Sequence, residues 1–300
     1  MTPASREGPW LLLSLALLWG VNWPAMKIAV TEMGPWAFRA ICLYVGALGL
    51  FAIALKFGLS MRVPRGRGRA LILASFLNVT IWHVCSAYGL MVLEAGRAVL
   101  IAFTMPIWVG LFGALFLGEA LDARKGAALA LGGAGLALLA FPAFAGLAAT
   151  PLGFLLMLAC AIGWASGTLY LKRRGFGMNA VSLTAWQLAI GGVPVLLGVL
   201  AIDLPAGIWR VETPSVAGWI GIVYAATVPM IYCHWAWFRA LEILPAQMAS
   251  LGVLAVPVVG VASSAWLMGE RFSTLDYAGM AAILAALFMA MVGRPASSRG

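Results

Sequence analysis

Two histidines lie within long apolar stretches of the chain, His83 in the third stretch and His234 in the eighth. An imidazole can hydrogen-bond a carboxylate, and it can take up or release a proton near neutral pH. The nearby hydroxyls of Tyr88 and Tyr224 add further donors to the same two stretches. A buried histidine satisfied by a neighbouring carbonyl is the alternative for either one. The pattern therefore predicts that at least one histidine binds a ligand.

Neutral polar residues lie in other apolar stretches. Asn22 precedes Pro24 by two residues, and the proline ring removes a backbone donor and frees a carbonyl one turn earlier. That carbonyl and the Asn22 amide would form a polar patch, unless the amide only satisfies the kink. Gln187 and Thr168 offer neutral donors and acceptors, which suit a zwitterion whose two charges partly cancel.

Tryptophans accompany several of these polar residues. They would line a ligand cavity or form belts at the membrane interfaces, and Trp19 and Trp164, in the middle of their stretches, are the better cavity candidates. The predicted substrate-binding set is Trp19, Asn22, His83, Tyr88, Trp164, Thr168, Trp186, Gln187, Tyr224 and His234.

Charged residues lie near the ends of the apolar stretches. Lys27, Arg39 and Arg97 are each within a turn or two of an end, where a long side chain can reach water. We therefore expect them to anchor the helices at the membrane surface rather than to bind a substrate carboxylate. Glu119 and Glu270 close their stretches beside glycine and fit a structural pair at helix ends. Because no Asp or Glu lies at the centre of a stretch, a histidine is the first candidate for proton coupling.

The apolar stretches dominate the composition. Hydrophobic residues make up 63% of the 300 residues and charged residues 10%, which excludes an ordinary soluble domain. A membrane-spanning helix needs about 20 apolar residues, and the stretches lack the alternation of membrane strands. The sequence predicts an all-α integral membrane protein with ten spans, near residues 10–30, 35–57, 70–92, 96–118, 125–143, 150–172, 180–202, 215–238, 246–268 and 274–292.

The basic residues predict how these spans are oriented. With a cytoplasmic amino terminus, fourteen of the nineteen Lys and Arg residues fall in cytoplasmic segments, and the other side keeps Lys27, Arg39, Arg97, Arg210 and Arg271. The positive-inside rule then predicts that both termini are cytoplasmic. The net charge of +9 reflects this orientation and does not indicate a nucleic-acid partner.

No cofactor is predicted. Cys42, Cys85, Cys160 and Cys233 lie in separate apolar stretches without CxxC spacing, which indicates neither a disulfide framework nor a metal site. A GxxxxGKS-type phosphate loop is missing from the sequence, so an ATP-driven pump is not expected. The expected partners are a small-molecule substrate and the lipid bilayer.

An internal repeat divides the chain into residues 1–145 and 146–300. The matched pairs are Trp19 with Trp164 and Lys27 with Lys172 at a shift of 145, Arg39 with Gln187 at 148, and Pro106 with Pro257, Gly118 with Gly269 and Glu119 with Glu270 at 151. Because five spans per repeat is an odd number, the second repeat must enter the membrane from the opposite side. Inverted repeats around a central cavity are typical of secondary transporters. Pro24, Pro106 and Pro257 lie inside spans and are the predicted hinges.

The chain resembles EamA-type members of the drug/metabolite transporter superfamily. The resemblance covers nearly the whole chain, and its most specific parts are the two P…LGE-like stretches that end at Glu119 and Glu270, each followed by a Gly/Ala-rich last span. Within the superfamily the chain is most similar to the ten-helix bacterial amino-acid exporters of the inner membrane. The resemblance implies a basket of helices around a central cavity and export of amino acids and related metabolites.

The predicted function is a secondary transporter that exports amino acids, aromatic or other neutral, and related metabolites by alternating access. One alternative keeps the scaffold and changes the cargo to other small metabolites or drugs. Another is an intramembrane hydrolase with Ser166 as nucleophile and His234 as base, although its spacing is not the GxSG of such enzymes.

Overall fold

A computed structural model of the protein describes residues 3–118, 122–144, 151–211, 213–244 and 255–291, and these ranges are helical apart from short connections. The first five helices are α1 (Pro3–Glu32), α2 (Pro35–Lys56), α3 (Gly68–Val92), α4 (95–117) and α5 (Ala123–Phe144). The second five are α6 (Pro151–Arg174), α7 (Ala180–Ala206), α8 (216–243), α9 (Ala255–Met268) and α10 (Thr274–Met291). The predicted all-helical class is confirmed.

The lengths of these helices match a bilayer. Among the described residues, α1 to α8 each contain a stretch long and apolar enough to cross a membrane, and α9 and α10 are shorter apolar helices. Only helices and closed barrels satisfy every backbone group within lipid, so the apolar composition and the helical fold agree. Part of the predicted ninth span, residues 246–254, lies outside the described residues.

The fourth span consists of two helical segments, where the sequence predicted one continuous helix. Ala95–Ala102 ends in a turn at Phe103 and Thr104, and Met105–Leu117 then begins. Pro106 lies in the first turn of the second segment, where its missing N–H breaks no helical hydrogen bond. The predicted hinge at Pro106 therefore lies beside an existing interruption, whereas Pro24 lies inside a continuous helix.

Two π-helical segments lie at equivalent positions in the repeats. One covers Phe76–Ile81 in α3, and the other covers Val228–Cys233 in α8. Each ends one or two residues before a predicted site histidine, His83 or His234. Insertions of this kind are frequent at functional sites because they redirect the side chains that follow.

The pattern of the main helix contacts is unchanged when each helix of the first repeat is replaced by its counterpart in the second repeat, α1 by α6, α2 by α7 and so on. α2 packs against α7 and α5 packs against α10, and each of these pairs maps onto itself when the first five helices are exchanged with the last five. The pair α1 and α9 maps onto α6 and α4, and the pair α1 and α8 maps onto α6 and α3. This pattern is what two repeats of five helices require.

Small residues permit the closest of these contacts. A Cβ on Gly135 of α5 would lie 2.9 Å from the carbonyl oxygen of Gly279 on α10, and a Cβ on Gly279 would lie 3.0 Å from that of Gly135. The two backbones therefore touch directly, which is how apolar helices gain packing contacts in a membrane.

Candidate functional site

Arg39 is the fifth residue of α2, and its side chain is buried inside the bundle with 2% of the residue exposed. Its Nη2 donates to Oγ of Ser86 at 2.7 Å, and its Nη1 contacts Sδ of Met26 at 3.2 Å. Its Nε has no hydrogen-bond partner, and no carboxylate of the described residues forms an ion pair with it. The expectation that Arg39 anchors the helix at the membrane surface is therefore wrong.

The contacts of Arg39 lead to the first predicted histidine. The Ser86 hydroxyl that accepts from Arg39 also donates to the main-chain carbonyl of His83 at 3.3 Å. The His83 ring is buried, and its Nδ1 has no partner. The structure thus links Arg39 of α2 to His83 of α3 through a single hydroxyl.

Buried polar atoms without a hydrogen-bond partner coincide with the predicted site. Seven side chains of the described residues carry such an atom, and three of them, Asn22, His83 and Gln187, belong to the predicted binding set. Nearly all buried polar groups in folded proteins are hydrogen-bonded, so an unpaired atom calls for a specific reason. A polar ligand would supply one, because it would complete these hydrogen bonds while it is bound.

Two of the seven unpaired atoms, Nε of Arg39 and Nε2 of Gln187, lie on the packed helices α2 and α7. Trp36 lies against Gly198, Tyr44 against Gly192 and Phe51 against Trp186, so the two helices run antiparallel. Arg39 lies five residues from Tyr44 toward one end of the bundle, and Gln187 lies five residues from Gly192 toward the other. At 1.5 Å per residue, Arg39 and Gln187 are therefore about 15 Å apart along the helix axes. These repeat-related residues therefore face opposite halves of the bundle.

Several predicted aromatic residues meet where α1 packs against α8. The rings of Trp19 and His234 form an edge contact at 5.9 Å, and Nδ1 of His234 lies 2.9 Å from the carbonyl oxygen of Pro229 in the π-helical segment. The hydroxyl of Tyr224 donates to the carbonyl oxygen of Leu18 at 2.8 Å. Asn22 lies on α1 one turn from Trp19. His234 and Tyr224 thus already have partners within the protein.

Other predicted residues hold helices and connections together. The indole of Trp186 donates to the carbonyl oxygen of Met61, in the connection between α2 and α3, at 2.8 Å. The hydroxyl of Tyr88 accepts from the indole of Trp36 at 2.7 Å. Trp164 and Thr168 are half-buried on α6, on the far side of α3 from α2. Their roles in binding stay predictions.

One end of the bundle, opposite the amino terminus, is closed by charged residues. Arg97 of α4 forms a two-pronged ion pair with Asp276 of α10, and the side chains are 9% and 2% exposed. The carboxylate of Glu270 accepts from the main-chain N–H groups of Ala95 and Gly96 at 2.6 and 3.0 Å. The predicted surface anchor at Arg97 is therefore wrong, whereas Glu270 does lie at a helix end as predicted. Glu119 lies outside the described residues.

Lys27, the third predicted anchor, also contacts this closed end. Its ammonium donates to the main-chain carbonyl of Leu93, in the connection between α3 and α4. Lysine can extend to water from a buried backbone position, but here it fastens α1 to the neighbouring connection. The Lys27 side chain is half-buried, so surface anchoring stays a prediction for this residue.

A second group of contacts closes the same end. Met33, between α1 and α2, pairs with Trp209 in an isolated antiparallel bridge. The N–H of Gly34 donates to Ile208 at 2.6 Å, and the N–H of Ala37 donates to the buried carboxylate of Asp203 at 2.7 Å. These contacts join the connection of the first repeat to that of the second.

An apolar groove of about 370 Å³ lies between α2 and α8. Its walls are Ile53, Thr227, Val228, Ile231, Tyr232 and Trp235. None of these residues belongs to the predicted binding set. The groove is open to the surface of the protein, because Tyr232 on its wall is 36% exposed.

Comparison with known proteins identifies the relatives of this fold. The chain matches the EamA-like transporter family twice, over residues 6–141 and 151–292. It is 29% identical to YvbV, an uncharacterized transporter of Bacillus subtilis (strain 168), over 282 residues, which are 92% of this chain and 89% of that protein. It is 26% identical to a "Probable amino-acid metabolite efflux pump" of Escherichia coli (strain K12), with 96% of each chain covered.

A solved crystal structure has the same fold. It superposes with a TM-score of 0.65 at 21% sequence identity and covers 95% of this chain and 96% of its own. At this identity the similarity concerns the fold alone.

Proposed function

Since the chain belongs to the EamA-like transporter family, whose pattern it matches over residues 6–141 and 151–292, we propose that it is a secondary transporter that exports amino acids and related metabolites. The cargo would be aromatic or other neutral amino acids. Support for this cargo comes from the 26% identity to the "Probable amino-acid metabolite efflux pump" of Escherichia coli. It comes also from the residue types of the site, which offer neutral amides, imidazoles and one guanidinium to a ligand.

The observation that carries the proposal is the set of unpaired buried polar atoms on Asn22, His83 and Gln187. These atoms belong to α1, α3 and α7, so both repeats contribute. A polar group in hydrocarbon is costly unless it meets a partner or a cavity, and in transporters such groups mark the substrate pathway. Because Gln187 lies about 15 Å along the helices from the level of Arg39, a zwitterion would meet Gln187 and the groups near Arg39 at different points of this pathway.

The closed end of the bundle suits one state of an alternating-access cycle. We assign this end to the outside of the bacterial inner membrane and both termini to the cytoplasm, because fourteen of nineteen basic residues lie in the other connections and tails. Export then requires the contacts around Arg97 and Met33 to open. Pro24, Pro106 and Pro257 would permit the accompanying bending of α1, α4 and α9.

Two alternatives receive less support. Other small metabolites or drugs would use the same scaffold, and competition assays separate them from amino acids. The hydrolase reading needs Ser166 and His234 in contact, yet α6 and α8 share no extensive packing among the described residues. His234 moreover already contacts Trp19 and Pro229.

Reconstitution of the purified protein in liposomes tests the proposal. We expect a labelled neutral amino acid to be carried and unlabelled amino acids to compete. Trp164→Leu should slow transport several-fold, whereas Trp266→Leu, whose side chain is 84% exposed, serves as the matched control and should not. If no amino acid is carried or competes, the proposed cargo is wrong.

A further inference from the structure

The guanidinium of Arg39 leaves much of its hydrogen-bonding capacity unused. A guanidinium has five N–H donors, and in Arg39 only two take part in contacts, one with the Ser86 hydroxyl and one with the Met26 thioether. A thioether is a weak acceptor. The Nε–H has no partner, although only 2% of the residue is exposed. A charged group in this setting is costly unless something completes its shell.

Arg97 shows how the same protein satisfies a buried guanidinium when the role is structural. Its Nε donates to Oδ1 of Asp276 at 2.8 Å, and its Nη2 donates to Oδ2 at 3.0 Å. This is the parallel two-bond geometry that a carboxylate and a guanidinium prefer. In Arg39 the corresponding Nε edge has no such carboxylate among the described residues.

Other features around Arg39 do not compensate for the missing anion. Its Cζ lies 5.1 Å from the centre of the Phe38 ring, which attracts a cation weakly but accepts no Nε–H bond. Arg39 also lies in the second turn of α2, near the positive end of the helix dipole. The dipole, whose effect falls off within the first turn, does not stabilise a cation at this position.

We propose that Arg39 binds the carboxylate of the transported substrate through its Nε–H and a free Nη N–H. This inference rests on the proposed export function and narrows its substrate class to molecules with a free monocarboxylate, amino acids among them. The Ser86 hydroxyl holds the guanidinium in place and also donates to the main-chain carbonyl of His83, whose buried Nδ1 has no partner. The neutral character of Met26, Ser86 and Phe38 fits a single negative charge better than a phosphate ester.

The position of Arg39 within the fold gives this binding a place in export. Two residues before Arg39, the N–H of Ala37 donates a hydrogen bond to the carboxylate of Asp203. The N–H of Gly34 donates a hydrogen bond to the carbonyl of Ile208 in the closed end. A carboxylate on Arg39 would therefore be held just behind the closure, one helical turn from it. Opening of these contacts would release the substrate on that side.

A transport assay that compares an amino acid with its amide tests the proposal. L-Phenylalanine and L-phenylalaninamide differ in the carboxylate, and unlabelled amounts of each compete with labelled L-phenylalanine in liposomes. We expect the acid to compete about 10 to 100-fold better than the amide in the unmodified protein, the range of one to two charge-assisted hydrogen bonds. In Arg39→Gln this preference should disappear, and in Arg39→Lys part of it should remain. Arg210→Gln, an exposed arginine at the same end, should keep the full preference.

Thermal unfolding separates a binding role from a structural one. Without ligand, Arg39→Gln should melt at the same temperature or higher, because it removes a buried charge that lacks an anion. L-Phenylalanine and phenylacetate should raise the melting temperature of the unmodified protein but not that of Arg39→Gln, and phenylacetamide should raise neither.

The outcomes distinguish the two proposals. If carboxylates stabilise the protein through Arg39 but no amino acid is transported, the export function is wrong and carboxylate binding stands. If amino acids are transported and Arg39→Gln keeps the preference for the acid over the amide, the role of Arg39 is wrong and the export function stands. A large loss of melting temperature in Arg39→Gln without ligand would also overturn the binding role.

Discussion

Arg97 of α4 and Asp276 of α10 form two parallel hydrogen bonds, of 2.8 and 3.0 Å, across 179 residues of sequence. The Asp276 carboxylate also accepts from the main chain and the hydroxyl of Ser273. Both side chains are nearly buried, at 9% and 2% exposure, so the pair is shielded from water. In the repeat, a shift of 151 places Lys125 opposite Asp276 and Met248 opposite Arg97. The second repeat therefore cannot form the same ion pair at the other end.

Asp276→Asn should destabilise the closed end strongly. The change leaves the buried Arg97 guanidinium with only the partly exposed carboxylate of Glu94, at 3.4 Å, as an anion. The loss should therefore approach the cost of breaking a buried pair, which is about 3–5 kcal/mol. The matched control is Arg239→Gln, which removes the exposed pairs of this arginine with Glu7 and Glu242, where the three side chains are 39%, 39% and 68% exposed. Exposed pairs of this kind contribute far less, because water screens the charges. Thermal unfolding in detergent measures the loss of stability in Asp276→Asn and in Arg239→Gln. Equal losses of stability in the two variants would contradict a special role for the Arg97 pair.

The helices were predictable because hydropathy dominates them. The predicted bounds of the second span, 35–57, compare with Pro35–Lys56, and those of the sixth, 150–172, compare with Pro151–Arg174. The break at Phe103 was not predicted, because a proline one turn into a helix reads the same in sequence as a proline at a kink. The π-helical segments leave no mark on hydropathy and so were missed as well.

The site was predictable only in part, because side-chain direction and distant pairing are not visible in sequence. Arg39 was expected to reach water, yet it turns inward to Ser86, which is 47 residues away. Asp203 and Asp276 were not singled out, since their partners Ala37 and Arg97 are more than 160 residues distant. The repeat carried a usable signal, because it aligns Arg39 with Gln187 and both proved to hold an unpaired buried nitrogen.

Gly221→Ala should weaken the packing of α8 against α1. A Cβ at this position would lie 2.7 Å from the main-chain oxygen of Ala25, and a backbone atom in a helix cannot move aside. We expect a loss of about 1–3 kcal/mol, as for other overpacked positions. Gly133→Ala is the control, because its Cβ would meet nothing within 4 Å, and alanine there should stabilise α5 by about 0.5–1 kcal/mol. Melting curves that move both variants in the same direction would contradict this view of the α1 and α8 contact.

Single cysteines should reveal the orientation of the chain. Arg65 lies in the connection between α2 and α3, and Thr213 lies between α7 and α8, both with exposed side chains. In spheroplasts, a membrane-impermeant maleimide should label Thr213→Cys at once and Arg65→Cys only after the membrane is permeabilised. The four native cysteines are buried or half-buried, so their background should be low. The reverse labelling pattern would place the termini outside the cell.

A disulfide between residues 33 and 209 should stop transport. Met33 and Trp209 form an antiparallel bridge at the closed end, flanked by the bonds from Gly34 to Ile208 and from Arg210 to Glu32. This bond pattern makes the two residues a non-hydrogen-bonded pair, whose Cα atoms lie about 4.5 Å apart, within reach of a disulfide. Because the proposed export requires this end to open, oxidation of Met33→Cys/Trp209→Cys should lower the transport rate at least about tenfold, and reductant should restore it.

Each single variant is the control for the loss of one side chain and should show no effect of oxidant. Mass spectrometry of the digested protein measures the fraction that is cross-linked, so the remaining rate can be compared with the fraction left open. The disulfide holds only the ends of α1 and α2 against the connection between α7 and α8, and it leaves Arg39 and His83 in place. A fully cross-linked protein that still exchanges substrate across the membrane would show that the cycle does not pass through an opening at this end.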